Sequence, residues 1–311
     1  VPVGSSCASV MRFSPTTIAA VTGNFRIGDW NQWHDAALSA TGQQAGVSLS
    51  AGSIAFPNET ATRSSSTLSM TMTNSGNTTL TVSSLSLSAG APDFTLISTN
   101  CVGSMGPGGT CTVTARFAPT TAGAKNGTIV FAHNGAGPTS FPLTGTSYAP
   151  AVITSRSFSP TTITLGGTST FSWATSSASS VNVACSGAIG IIGGSTTALS
   201  GSITVQGTSN GTGTCTVNAY NVLSTGTSDS ASMSVVAAPS VATASFSPSS
   251  VMAGNTTTFS WTTSNATSAS VTCAAPASGS GSGLSGSITV STSAAGTGSC
   301  TTTVYNPAGS S

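Results

Sequence analysis

The second half of the chain says nearly the same thing twice. Ser-Phe-Ser-Pro at 157 to 160 returns at 245 to 248, Phe171-Ser172-Trp173 returns as Phe259-Ser260-Trp261, and Cys185 returns as Cys273, each 88 positions on. Farther along, Cys215 and Tyr220-Asn221 return as Cys300 and Tyr305-Asn306 at a spacing of 85, so one module occurs twice with a three-residue deletion in a Gly/Ser loop. Self-similarity at fixed spacing marks a folding unit used repeatedly. Within each copy, apolar and polar residues alternate over short stretches such as Thr170-Phe171-Ser172-Trp173, Ile203-Thr204-Val205 and Cys215-Thr216-Val217, separated by Gly, Ser and Asn clusters. Period two with abundant Val and Thr predicts antiparallel strands with one buried face, hence a sandwich of about seven strands. The Phe, the Trp and the Tyr of each copy are expected in the core.

Residues 41–148 read as a third all-strand unit of different pattern. Met72-Thr73-Asn74-Ser75-Gly76 is followed by Leu80 and Val82, then Cys101, then Gly108-Gly109-Thr110-Cys111-Thr112-Val113, Arg116-Phe117-Ala118-Pro119, Gly127-Thr128-Ile129 and Leu143-Thr144-Gly145-Thr146. This series resembles the hydin-type, choice-of-anchor D immunoglobulin-like modules of bacterial surface proteins. The resemblance implies an immunoglobulin-like sandwich used as a spacer or assembly unit, a disulfide between Cys101 and Cys111, and no catalytic residues. Eukaryotic relatives are associated with cilia and centrosomes, but the Ser/Thr-rich, charge-poor composition here is similar to the bacterial extracellular branch. The repeat resembles, more loosely, generic bacterial immunoglobulin-like repeats. The expected architecture is therefore all-β: an N-terminal arm (1–40), a hydin-type sandwich (41–148), and two repeat copies (149–238 and 239–311).

Composition narrows function. Charged residues are only 4% of the chain, against about 25% in ordinary soluble proteins, and more than a third of the residues are Ser or Thr. With six Lys plus Arg against five acids, no basic stripe for a nucleic-acid backbone can be assembled. Two His and five carboxylates leave little for acid/base or metal chemistry, and neither His has a triad context. The reading is of a non-enzyme without cofactor or metal. No apolar run is long enough for a membrane span, and the start at Val1 is read as a processed, exported chain.

The cysteines at 7, 101, 111, 185, 215, 273 and 300 lack zinc or haem spacing. Intradomain disulfides in an oxidising compartment are the simpler account. Pairing neighbours in sequence joins Cys101 to Cys111, Cys185 to Cys215 and Cys273 to Cys300, and leaves Cys7 alone. Two readings of Cys7 stay open, a tolerated thiol or a link to another chain. Asn58, Asn77, Asn126, Asn210, Asn255 and Asn265 fall in glycosylation sequons, which a Ser/Thr-rich chain produces by chance.

The ends carry the functional expectation. Arg12-Phe13-Ser14-Pro15-Thr16-Thr17-Ile18 echoes Ser157-Phe158-Ser159-Pro160-Thr161-Thr162-Ile163, with Phe25 and Trp30 roughly where the repeat has Phe171 and Trp173, yet no later strands are expected to follow. The segment reads either as a fragment of a repeat or as an arm needing completion, and its Val10, Phe13, Ile18 and Val21 are too many to leave in water. The first copy continues into Ala231-Ser232-Met233-Ser234-Val235, a final strand, whereas the second stops at Asn306-Pro307-Ala308-Gly309-Ser310-Ser311. The second copy is expected to lack that strand, leaving an edge unguarded by charge. The expectation is a head-to-tail homopolymer, a subunit of a bacterial surface filament, sheath or matrix, in which the arm of one copy completes the last module of the next. The alternative is an adhesin stalk or carbohydrate-binding accessory region. Its glycan contact would lie in Asp29-Trp30-Asn31-Gln32-Trp33-His34-Asp35, with Trp30, Trp33 and His34 as the contact residues. His133 reads as a loop residue.

Overall fold

The computed structural model describes residues 4–16 and 18–310, and no helix occurs among them. They fall into two compact units that divide between Ala149 and Pro150.

In the second unit the first repeat copy is a sandwich of two four-stranded sheets. One sheet runs Val152–Ser159, Thr168–Ser176, Gly201–Gly207, Ile189–Gly194; the other runs Thr162–Thr164, Gly226–Val236, Gly211–Tyr220, Ser180–Gly187. Strand alternation delivers Ser169, Phe171 and Trp173 to the inner face, where Phe158 and Phe171 lie 4.8 Å apart and Phe171 and Trp173 6.0 Å. The second copy repeats this aromatic ladder at 4.9 Å for Phe246 and Phe259 and 6.2 Å for Phe259 and Trp261. Each indole N–H, which burial would otherwise leave unpaired, donates to a backbone carbonyl, Trp173 to Ala198 and Trp261 to Gly283. The Ser-Phe-Ser-Pro motif ends the first strand of each copy at a cis peptide. There the Ser169 hydroxyl donates to the Pro160 carbonyl and the Thr257 hydroxyl to that of Pro248, fixing the bend that carries the chain toward the other sheet.

The two tyrosines depart from the expected core role. Tyr220 and Tyr305 lie on the outward parity of their strands and are exposed. Tyr220 covers Gly226 across the hairpin so closely that a Cβ there would stand 2.6 Å from the ring.

The first unit holds the hydin-like sandwich. One sheet runs Val47–Leu49, Ser66–Asn74, Thr110–Phe117, Phe94–Thr99; the other runs Ile54–Ala55, Ser140–Tyr148, Gly123–His133, Leu80–Ala89, Gly103–Met105, with Glu59–Thr60 also beside Ser140–Tyr148. Phe94 stacks on Phe117 at 4.9 Å with Phe56 tilted against both, and Met70, Met72, Leu80 and Ile129 complete the core.

The N-terminal segment differs from the expectation that no further strands follow. Ala20–Gly28 and Trp33–Thr41 form an antiparallel hairpin in continuous register from Ala20↔Thr41 to Gly28↔Trp33. Trp30, aligned above with the core Trp173, sits at the turn and is fully exposed, while Phe25 is half-buried on one face of the hairpin. The echo of the repeat therefore does not extend to its core. Val1 to Val3, Thr17 and Ser311 lie outside the described residues.

Candidate assembly interface

In the first copy Gly226–Val236 closes the sandwich. It pairs antiparallel along Gly211–Tyr220, from Tyr220↔Gly226 to Gly211↔Val235. On its other side Ser234, Val235 and Val236 pair in parallel with Thr162–Thr164. Ala231, Met233 and Val235 turn inward, and Met233 and Val235 are fully buried together with Ile163. Toward the start of the strand Arg156 Nη2 meets Asp229 Oδ1 at 2.7 Å, and Arg156 Nε donates to the Ser230 carbonyl.

In the second copy the equivalent pairing covers only Tyr305↔Ser310 and Asn306↔Gly309. Among the described residues, positions 299–304 of Ser299–Asn306 have no strand on that side, and 250–252, the counterpart of Thr162–Thr164, is not a strand. What opens between the sheets is a groove of about 520 Å³ lined by Phe246, Val251, Met252, Ala277, Val290 and Gly298 among others. Phe246 and Val251 are half-buried where Phe158 and Ile163 are buried, and Met252 is 80% exposed. The Thr302 hydroxyl oxygen is buried without a hydrogen-bond partner among the described residues. From Ser230 onward the sequence contains no Asp, Glu, Lys or Arg, so this edge carries none of the charges that usually blunt a bare strand. The sequence reading does not single out Val251, Met252 or Thr302, although Val251 stands 88 positions after Ile163.

The polar cluster of the N-terminal hairpin is occupied locally. Asp29 Oδ1 accepts the backbone N–H groups of Asn31 and Gln32 at 2.8 and 2.7 Å and closes the turn. Those hydrogen bonds, Gln32 first, hold its carboxyl below the usual range. Arg26 Nε and Nη2 donate to the two carboxylate oxygens of Asp35 at 2.6 and 2.8 Å, and this hydrogen bonding lowers the Asp35 pKa. His34 Nε2 lies 3.5 Å from Asp29 Oδ2 and 3.2 Å from the Gln32 amide nitrogen. Trp33 packs over Gly28, with the Arg26 guanidinium 6.0 Å from its ring centre. Asp29 and Asp35 thus point to separate partners, and Trp30 alone projects fully into solvent. His133 is not a loop residue: it ends the strand Gly123–His133, opposite Val82, and holds the loop that follows, its Nδ1 accepting from Gly135 N–H and its Nε2 facing the Pro138 carbonyl.

Cysteines 101 and 111, 185 and 215, and 273 and 300 are disulfide-bonded. The last two pairs join residues directly opposite each other on adjacent strands. Three such bonds belong to a compartment outside the reducing cytoplasm. Cys7 is a free, exposed thiol. No helix among the described residues is long and apolar enough to cross a membrane.

Among solved structures, the chain is similar to titin domains I67–I69, with 11% identity over 87% of this chain and 96% of that one and a TM-score of 0.48. The N-terminal eight immunoglobulin domains of Down Syndrome Cell Adhesion Molecule align with 12% identity over 93% of this chain and 44% of that one, TM-score 0.39. The ASH / PapD-like domain 7 of human CEP192 aligns with 18% identity over 35% of this chain and 90% of that one, TM-score 0.30. No curated protein matches. Residues 48–141 match the family model described as ASH, for Abnormal spindle-like microcephaly-associated, ASPM-SPD-2-Hydin.

Proposed function

We propose that this chain is a self-assembling structural subunit of a bacterial surface filament, sheath or matrix, with subunits joined by strand complementation. The N-terminal segment of one copy enters the groove in the second repeat copy of the next. One observation carries the reading: among the described residues, the second copy has an apolar groove and an uncharged strand edge at the place where the first copy has Gly226–Val236. An extended strand is the ligand such a site takes, because it supplies both ladder hydrogen bonds and alternate side chains. The contact is heterologous, so it propagates rather than closing. Exposed apolar side chains at the N-terminal end, among them Val10, Met11, Phe13, Val21 and Ile27, supply the other half. The disulfides and the immunoglobulin-like architecture suit a load-bearing extracellular role.

Negative-stain microscopy of the purified chain tests this, with non-reducing gels on the same sample. Fibres with a repeat near the length of one subunit are expected, and single particles at high concentration overturn the reading. The exposed Trp30 and largely exposed Trp33 favour a second reading, a glycan-binding accessory region. That reading predicts Trp fluorescence that responds to glycans in an unassembled chain.

A further inference from the structure

Resting on the glycan-binding reading, we infer that the polar face of the N-terminal hairpin is a linear subsite for an extended, neutral polysaccharide. The Trp33 ring is its stacking platform, and the Arg26–Asp35 pair, Asn24, Thr22 and Ser39 meet the sugar hydroxyls.

Strand parity separates the two faces of the hairpin. On one, Val21 stands opposite Ala40, Phe25 opposite Ala36 and Ile27 opposite His34. On the other, Thr22 stands opposite Ser39, Asn24 opposite Ala37, Arg26 opposite Asp35 and Gly28 opposite Trp33. Met11 and Phe13 share a recess with Val21 and Leu38 of the first face. The second face is exposed along its whole length, and it carries a depression of about 370 Å³ lined by Thr22, Asn24, Ala37 and Ser39 among others.

Trp33 is placed to stack. A Cβ at Gly28 would run into its six-membered ring, so the glycine lets the indole rest on the backbone, and the side chain is still 70% exposed. The electron-rich face of an indole attracts C–H bonds, which a pyranose with equatorial hydroxyls presents on its flat sides. At the next pair, Arg26 Nε and Nη2 donate to the two Asp35 oxygens. The other guanidinium N–H groups and the outer carboxylate lone pairs remain for hydroxyls. An apolar platform beside a few fixed polar groups is how a small-ligand site sets orientation. From Trp33 to Ser39 the strand advances about 20 Å, the span of about four sugars in an extended β-1,4-linked chain.

Charge selects the class of sugar. Near the turn Arg26 stands against Asp29 and Asp35, and hydrogen bonding holds both carboxyls below the usual range. A uronic or sulfated chain therefore meets net negative charge, which a neutral chain does not feel. The track also differs from the residues that the sequence singles out. His34 lies on the opposite face with Ile27, and Trp30 lies beyond the last ladder pair, in the turn.

The test titrates the whole 311-residue chain with cello-oligosaccharides, by Trp fluorescence and calorimetry. Trp173 and Trp261 are buried, so in a Trp30→Ala chain the fluorescence response reports Trp33. Trp30→Ala is expected to keep its affinity for cellohexaose, and Trp33→Ala to lose about tenfold or more. Trp33→Tyr should recover part of that loss, which a merely misfolded hairpin would not. Asn24→Ala should weaken binding about 2–12-fold, the usual worth of one hydrogen bond. Affinity should climb up to the tetrasaccharide and then level off, and hexagalacturonate should bind more weakly than cellohexaose. If Trp30→Ala abolishes binding and Trp33→Ala does not, the sugar sits at the turn, and the track falls while the glycan reading stands. Hexagalacturonate binding as tightly as cellohexaose overturns the neutral class. No heat and no fluorescence change with cellohexaose overturns the track, and silence across an array of neutral and charged glycans removes the glycan reading with it.

Discussion

The two repeat copies share an aromatic ladder, a bend and a disulfide, and differ in one strand. In the first, Met233 and Val235 fill the space between the sheets beside Ile163. In the second, the same walls enclose a groove, and Val251 and Met252 stand partly or largely in water. The comparison separates two jobs that a sandwich usually does together. The aromatic ladder of Phe259 and Trp261 is buried in the open copy as in the closed one, so it organises the core without the closing strand. Complementing the edge is a separate increment.

The largest expected effect comes from removing that difference. Replacing residues 307–311 with residues 222–237 of the first copy supplies the strand in cis. Burying two side chains of Met and Val size stabilises by about 3–6 kcal/mol in total, so the melting transition of the second copy should rise in calorimetry. The same graft should abolish fibres, and fibres that persist would show that the groove is not the joint. Met233→Ala comes next, because it opens the first copy toward the state of the second. A buried Met→Ala change costs about 2–5 kcal/mol. The counterpart change at the exposed Met252 should stay within about 0.5 kcal/mol in the unassembled chain. Urea unfolding of both variants measures the contrast, and equal costs would mean the two sites are alike after all.

Much of this contrast was legible in the residues. Phe171, Trp173 and their repeats announce the core by period two. At Tyr220 parity overrides size: Gly213, Cys215, Val217 and Ala219 take the inner face, so Tyr220 points out. The hairpin of Ala20–Gly28 and Trp33–Thr41 escaped notice because its turn has no glycine. Asp29 makes the turn instead by accepting two backbone N–H groups, an Asx arrangement that composition alone does not flag. The groove walls were hidden for a different reason. Val251, Val290 and Gly298 are far apart in sequence, and only sheet packing brings them to one cavity.

Acid should distinguish the units more gently. Burial raises the Asp93 pKa, but the Thr120 N–H, the Lys125 ammonium at 3.1 Å and the Thr120 hydroxyl together outweigh it, and the net shift is downward. A carboxyl with a depressed folded pKa stabilises above its unfolded value, near about 3.9, and that contribution is lost as pH falls from there through the folded value. The hydin-like unit should therefore lose stability below about pH 4. The second repeat copy has no Asp, Glu, His, Lys or Arg, and its own melting transition should not move over the same range. Asp93→Asn should reduce the response of the hydin-like sandwich, leaving whatever Asp29 and Asp35 of the N-terminal hairpin contribute, and an unchanged response would remove Asp93 as a source.

The smallest effect concerns the contact that only the first copy has. Arg156 and Asp229 are each more than a third exposed, so solvent and salt screen them, and a double-mutant cycle should return about 0.2–1 kcal/mol. Arg156→Ala should cost more than Asp229→Ala, since it also strips a donor from the Ser230 carbonyl.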